Sequence, residues 1–478
     1  MKICLLCEGS YPYVVGGVSS WVQQLVKLFP EHEFFIYAIA TDESMKGDFK
    51  YELPENISFV QEVFLNDAYQ EQPAQVQAAA GGRLEPWQAE AFTKLVMGEV
   101  EHWDSIFDFF LRQQWPVAQF LMSKDFYAIT QDIYYEHHQM AVYSEFLWTM
   151  RSMYLTLFHI LNHPPDQADI YHAVSTGYAG IAAALGKRKW GGKMLLTEHG
   201  IYTREREEEI IKADWVPADF KQLWIHYFKN LSKAAYMKSD RILALFDMNN
   251  ALQIELGADP IKCDYIANGI NVANFLDLPQ KEDAQVLNVG AVIRVSPIKD
   301  IKTMLYAFDL VKQKMPQARF YLMGPNDEAP EYYQECLELL EELGTEDVFF
   351  TGRVQVRDYI GKMDVLVLSS LSEAQPLALM EAMAAGKPCV STNVGSVREL
   401  LEGSTVDALG TCGLLAPIMD YEKIASNIIL LLENPEMASR FGEVGKMRIE
   451  KYYSEHKFIS AYRELYQLLG EGDRQWLE

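Results

Sequence analysis

The sequence predicts an α/β protein made of two doubly wound domains, and three observations carry that reading. Short apolar runs alternate with amphipathic helical stretches near both ends of the chain. Between them, from about Asn66 to Asn162, the alternation stops and helical spacing takes over. The length of 478 residues exceeds one ordinary hydrophobic core, so two domains are the default.

Residues 2–7 read as the first strand, followed by a loop from Glu8 to Gly17 that contains Pro12, Gly16 and Gly17. Val18, Trp21, Val22, Leu25, Val26 and Phe29 then recur at helical spacing, and Phe34 to Ile39 forms the next apolar run. Strand, helix, strand at this spacing is a βαβ unit. The insertion follows. It opens with a polar, alanine-rich stretch from Gln70 to Gly82, then helical patterns run through Trp87–Phe110 and Met140–Leu161. In the second pattern Val142, Phe146, Met150, Met153, Leu157 and Leu161 share one face. Core packing is the plainer expectation for them, and a docking surface the sharper one.

The α/β rhythm resumes with Asp169–Val174, a helix from Tyr178, and strands at Met194–Thr197 and Arg241–Leu245. Residues 272–285 read as a connection. A second set of strands follows at Gln285–Val289, Arg319–Met323, Val348–Thr351, Asp364–Ser369 and Pro388–Ser391, with helices between. Helices at Tyr421–Leu432 and Lys457–Leu469 end the pattern. The expected domains are thus 1–277, with an insertion at about 66–162, and 278–455, with a closing helix in 456–478 that packs back toward the first.

Acidic residues outnumber basic ones by 67 to 42, a net charge of −25, which disfavours nucleic acid as a partner. A polyanionic ligand would therefore need a local cationic pocket. Cys4 and Cys7 have C-x-x-C spacing, but a strand turns their side chains to opposite faces, against a zinc or redox role. The apolar start is too short for a signal peptide, and no uncharged run reaches the roughly 18 residues that span a bilayer. A soluble, intracellular chain is expected.

The most informative stretch is Ser372-Glu373-Ala374-Gln375-Pro376-Leu377-Ala378-Leu379-Met380-Glu381, which follows the Asp364–Ser369 strand. Pro376 can open a helix, Gly386 can end it, and Pro388 prevents its continuation. Backbone N–H groups at such a helix start attract phosphate, and Glu381 has the reach to hold a ribose diol. Arg294 and Lys299 lie in the loop after another strand, where α/β sheets bind ligands, and supply the counter-charge a diphosphate requires. Gly16 and Gly17 at the first strand–helix junction let backbone approach a phosphate. His199, in Thr197-Glu198-His199-Gly200, sits just past a strand in a ligand-facing position. Asn268 marks a turn near the domain boundary, and Arg353 and Val354 close a strand where a nucleobase can rest against backbone.

No Asp-x-Asp, G-x-G-x-x-G or P-loop pattern occurs, which disfavours a metal–diphosphate site, a dinucleotide dehydrogenase and a P-loop NTPase. Taken in order, the Gly-Gly loop, the strand-exit His, the Asn-Gly turn, the Arg/Lys loop, the Thr-Gly-Arg strand end and the Glu-x7-Glu motif resemble glycosyltransferase family 4 over nearly the whole chain. The resemblance implies a GT-B fold, two Rossmann-like domains facing across a cleft. It also implies retaining, metal-independent transfer of a hexose from a UDP-sugar to a glycan acceptor, with no cofactor. On that basis His199, Arg294, Lys299 and Glu373 carry the chemistry. Gly16, Gly17, Asn268, Arg353, Val354, Gln375, Pro376, Leu377 and Glu381 bind substrate. Where the family often has glycine this chain has Ala374 and Pro376, and Pro376 removes one N–H.

The stretches Glu8–Trp21 and Thr197–Arg206, with the helical insertion, resemble the branch serving exopolysaccharide synthesis. That branch implies a cytoplasmic enzyme beside an inner-membrane polysaccharide synthesis and export complex. Two other classes stay open: a GT-B nucleotide-sugar epimerase, separable by its products from UDP-sugar alone, and a non-enzymatic nucleotide-sugar-binding scaffold.

Overall fold

The computed structural model describes residues 1–70, 84–112, 116–404 and 407–471, so most of the Gln70–Gly82 stretch lies outside it. The chain divides into two compact units, one formed by Met1–Tyr265 with Arg463–Glu478 and the other by Ile266–Tyr462.

In the first unit the order is β1 (Lys2–Glu8), α1 (Gly17–Leu28), β2 (Glu33–Ala40) and β3 (Ile57–Phe64). The insertion then contributes α2 (Asp67–Gln70), α3 (Pro86–Met97), α4 (Trp103–Arg112), α5 (Val117–Leu121), α6 (Lys124–His137) and α7 (Tyr143–Asn162). Next come β4 (Ile170–Ala173), α8 (Gly177–Trp190), β5 (Lys193–Thr197), α9 (Tyr202–Lys212), α10 (Lys221–Lys238), β6 (Arg241–Ala244), α11 (Asp247–Glu255) and β7 (Cys263–Tyr265). The strands form one parallel sheet ordered β3-β2-β1-β4-β5-β6-β7. With helices on both faces, central strands are buried on both sides, which is why β1 and β2 are near-continuous apolar runs. Small residues bring α8 close to its neighbours. A Cβ at Gly180 would lie 2.7 Å from the Ala235 Cβ, and one at Gly186 would lie 2.5 Å from the Tyr171 ring.

The second unit runs β8 (Leu287–Val292), α12 (Ile301–Lys314), β9 (Ala318–Met323), α13 (Pro330–Leu343), β10 (Val348–Gly352), α14 (Arg357–Ile360) and β11 (Val365–Leu368). It continues with α15 (Leu377–Ala384), β12 (Cys389–Thr392), α16 (Val397–Glu402), β13 (Gly413–Ala416), α17 (Tyr421–Glu433) and α18 (Pro435–Tyr452). The last helix, α19 (Glu455–Glu471), carries the chain from the second unit back into the first by sequence. These strands form a parallel sheet ordered β10-β9-β8-β11-β12-β13. The fold class is as expected: two Rossmann-like doubly wound domains, the first with a helical insertion. Each sheet reverses direction of strand addition once, between β1 and β4 in the first and between β8 and β11 in the second. Ligands in such sheets bind outside the carboxyl ends of the strands that flank this reversal.

Three details differ from the sequence reading. The Trp87–Phe110 pattern is two helices, because Gly98 adopts a left-handed φ of 84° and ends α3. Strands β3, β7 and β13 were not anticipated. The α7 stripe is not a docking surface: Phe146, Met150, Met153, Leu157 and Leu161 are fully buried in the first unit's core, and only Val142 at the helix entrance is exposed. Cys4 and Cys7 are free and buried, as strand geometry requires.

Candidate active site

The two loops flanking the reversal in the second sheet are tied together by their own polar groups. After β8 the chain makes a turn at Pro297–Lys299, and Asp300, with a left-handed φ of 49°, caps α12 by accepting from the Thr303 N–H. After β11, the Ser369 hydroxyl donates to the carbonyls of Lys299 and Asp300 at 3.0 and 2.8 Å, and the Leu371 N–H donates to the Ile298 carbonyl. This stitching brings Lys299 Nζ within 2.5 Å of Glu373 Oε1, although 74 positions separate them in sequence. The Ser370 hydroxyl donates to the same oxygen at 2.6 Å. Both charged side chains are largely enclosed, at 17% and 12% exposure. A third segment backs the loop. The Ser396 N–H donates to the Ala374 carbonyl, and Gly395 lies so close that a Cβ there would sit 2.1 Å from the Glu373 carbonyl oxygen.

Glu381 lies on α15, about one turn beyond its start, and burial pushes its carboxyl up to about 7. Pro376 is the residue that precedes α15, and Gly386, at φ 69°, follows its end. Gln375 is used within the unit: its Oε1 accepts from the Asn268 N–H at 2.6 Å, while the buried Asn268 Oδ1 has no partner among the described residues. Arg353 and Val354 follow β10, with the exposed Arg353 guanidinium 3.5 Å from Asp327.

Arg294 and Lys299 are each engaged by a carboxylate of the second unit. Arg294 pairs with Glu328 at 2.8 Å and Lys299 with Glu373, so two cations face two carboxylates. Carboxylates are abundant in this acidic chain, and the −25 net charge makes an uncompensated cation hard to keep. A diphosphate at this place would compete with these carboxylates for the cations.

In the first unit the reversal lies between β1 and β4, and the space before α8 is already filled by the protein itself. Glu8, the last residue of β1, accepts from the Tyr178 and Ala179 N–H groups of α8 at 2.9 and 3.3 Å and from the Tyr202 hydroxyl at 2.9 Å. That is the anion position of a helix N-terminus, occupied by an internal carboxylate. Tyr202 also donates its N–H to Glu198 at 3.0 Å, and Glu198 takes further bonds from the Tyr236 hydroxyl and the Gln253 amide. Burial raises the pKa of both carboxylates despite these donors. The sequence does not single out this pair; its only signal there is a glutamate at each strand end, Glu8 closing β1 and Glu198 following β5.

His199 follows Glu198 directly. Its ring meets the Trp21 ring of α1 edge-on at 4.6 Å, its Nε2 is buried without a partner among the described residues, and burial lowers its pKa to about 4. A neutral imidazole is the form present near pH 7. Gly16 and Gly17 lead into α1. Neither has a positive φ, and a Cβ on either would meet open space, so nothing in the chain itself demands glycine there. His199, Gly16 and Gly17 belong to the first unit; Arg294, Lys299, Glu373 and Glu381 belong to the second.

Comparison with known families places residues 1–261 in a family described as a domain of unknown function, DUF3492. The chain belongs to that family. Residues 283–434 match a second model, glycosyl transferases group 1. Together, in this order, the two match the architecture of PelF, a glycosyltransferase of exopolysaccharide synthesis.

Curated relatives are more distant. The chain is 29% identical over 171 residues to N-acetyl-alpha-D-glucosaminyl L-malate synthase of Bacillus anthracis, covering 35% of this chain and 42% of that one. It is 27% identical over 254 residues to phosphatidyl-myo-inositol mannosyltransferase of Mycolicibacterium smegmatis, covering 51% and 61%. The match thus spans less than two thirds of either relative. With the putative colanic acid biosynthesis glycosyltransferase WcaL of Escherichia coli, identity is 27% over 322 residues, covering 64% and 71%.

Among solved structures, Anabaena Alr3699/HepE in complex with UDP and glucose aligns over 98% of this chain and 100% of its own, with TM-score 0.59 and 15% identity. Sucrose-phosphate synthase from Thermosynechococcus elongatus aligns over 99% and 100%, with TM-score 0.62 and 17% identity. At these identities the likeness concerns fold, and the fold is GT-B.

Proposed function

We propose that the protein is a retaining, metal-independent glycosyltransferase that moves a hexose from a UDP-sugar to a growing exopolysaccharide of the Pel type. The observation that carries the reading is the Lys299–Glu373 contact at the strand reversal of the second sheet, with Glu381 on the helix that follows. A nucleotide-sugar needs three things from such a place: charge for the diphosphate, an acceptor for the ribose hydroxyls, and a polar group near the sugar. Lys299 and Arg294 supply the first, Glu381 the second and Glu373 the third. When the sugar–phosphate bond breaks, negative charge grows on the departing phosphate oxygen. A fixed ammonium and guanidinium stabilise that state more than the ground state. Arg353 and Val354 meet the base, and Gln375, Pro376 and Leu377 form the start of α15 beside the sugar.

On this reading Gly16, Gly17 and neutral His199 serve substrate binding in the first unit, His199 by donating or accepting a hydrogen bond to a sugar hydroxyl. The WcaL relative supports the polysaccharide assignment, and the HepE complex with UDP and glucose supports UDP as the nucleotide. We further propose that the enzyme works in the cytoplasm beside an inner-membrane synthesis and export complex. Among the described residues no helix is long and apolar enough to cross a membrane, so that association would run through a partner. The test is UDP release from a panel of UDP- and GDP-sugars, with and without glycan acceptors. Acceptor-dependent release from a UDP-sugar is expected; product formed from UDP-sugar alone, as an epimer, would reject the assignment.

A further inference from the structure

Between the helical insertion and α10 lies an open pocket of about 560 Å³ that plays no part in the site described above. It lies wholly within the first unit, walled by the end of α3, by α6 and α7, and by α10. No strand-exit loop lines it. Its volume falls in the ordinary range of small-ligand sites.

The floor is apolar and aromatic: Val96, Ile133, Met153, Tyr154 and Tyr227 are all buried. The two tyrosine rings meet edge-on with centroids 5.7 Å apart. Their hydroxyls are committed to the protein, Tyr154 donating to the Leu95 carbonyl and Tyr227 to the Met153 carbonyl. What they offer the cavity is ring surface. The rim is polar, with His137, Asp219, Gln222, His226 and Asn230. Among the described residues, the side chains of Asp219, Gln222, His226 and Asn230 make no hydrogen bond to any protein group, so their capacity is available. Gly98 makes room for one of them: a Cβ there would sit 2.1 Å from Asn230 Nδ2, so the residue that ends α3 also lets Asn230 lie across the wall.

The lining selects a chemical class. No Lys or Arg lines the cavity among the described residues, so phosphates and uronic acids lack a counter-charge. His138 stacks on Phe146 at 4.9 Å, and its pKa is lowered by burial and by neighbouring His137, so it adds no positive charge near neutral pH. Aromatic faces below and unpaired amide, carboxylate and imidazole groups above fit a molecule with an apolar C–H face and a fringe of hydroxyls.

We propose that this cavity is a binding subsite for a short neutral oligosaccharide. The proposal deepens the glycosyltransferase reading by giving the insertion a glycan to hold, and it rests on that reading for its biological sense. Its test needs no donor sugar. The full chain is titrated with cellotetraose, chitotetraose and maltotetraose by ligand-observed NMR, with a heparin-derived tetrasaccharide as the charged comparison. Asp219→Ala/His226→Ala is the test variant; both positions are exposed, so the fold should persist, and a thermal melt checks this. At least one neutral tetrasaccharide should bind at millimolar concentration, and the double variant should weaken it about tenfold or more, on the scale of one or two lost hydrogen bonds. The proposal fails if no neutral tetrasaccharide binds, if the variant binds as well as the native chain, or if the charged tetrasaccharide binds better. Binding here without any sugar transfer would reject the transferase reading and leave the subsite standing.

Discussion

Glu381 is the residue whose environment most clearly ties stability to pH in the second unit. Burial raises its folded pKa to about 7, above the ordinary 4.5 that the unfolded chain would show. The folded state therefore binds the proton more tightly, so this group's contribution to stability is full below about 4.5 and is lost as pH rises through about 7. Glu381→Gln should remove that dependence, flattening the melting-temperature profile across this window; a profile as steep as wild type would refute it. For a ribose held by hydroxyl donors, the ionised carboxylate is the better acceptor. UDP affinity should then rise with pH through the same window in wild type and not in Glu381→Gln, read by calorimetry.

Arg448 gives a second residue-scale expectation. It is fully buried, pairs with Asp407, and donates to the Leu400 and Leu401 carbonyls. Asp407→Ala would leave a buried guanidinium without its counter-ion and should cost about 3–5 kcal/mol, measured by denaturant unfolding. The glutamates of the Glu-x7-Glu motif and the loop cations stood out in sequence because short patterns flagged them. Glu8 and Glu198 did not, because a single glutamate after a strand is indistinguishable from a solvated one until the fold brings Tyr202 between them.

At the scale of elements, the loop after β11 depends on Gly395, whose φ of 51° and proximity to the Glu373 and Ala374 carbonyls leave no space for a side chain. Gly395→Ala should push that loop away and lower turnover much more than it lowers the melting temperature. Equal losses would mean that the loop is not specifically aligned. Most strands could be read because parallel strands covered on both faces are continuous apolar runs. The three strands that escaped, β3, β7 and β13, all lie at sheet edges; β7 spans only three residues, and Gln61 and Glu62 interrupt the apolar run of β3. In the insertion, the helical period was legible but the break at Gly98 was not, because one glycine inside a helical pattern is often tolerated.

For the whole molecule, the buried α7 stripe turns attention to other insertion aromatics. Trp148 and Tyr135 are exposed, at 62% and 59%. If the enzyme is held at the membrane through the insertion, serine at both should release it from membranes in a fractionation assay while UDP binding persists. Continued co-sedimentation would move the contact elsewhere. Two sheets and an insertion were evident from the alternation of patterns, whereas the pairing of Lys299 with Glu373 and of Arg294 with Glu328 was not, since contacts between distant loops leave no periodic trace.

If side-chain cations, without a metal, stabilise the departing nucleotide diphosphate, the decisive measurement is the rate of UDP release from a UDP-sugar with acceptor, in excess EDTA, for wild type and Lys299→Ala. Wild-type turnover should survive the chelator, and Lys299→Ala should lose about 10²-fold or more, the scale of a removed transition-state donor. Loss of wild-type activity in EDTA with recovery on adding Mg²⁺ or Mn²⁺, or a Lys299→Ala rate near wild type, would contradict that metal-free stabilisation.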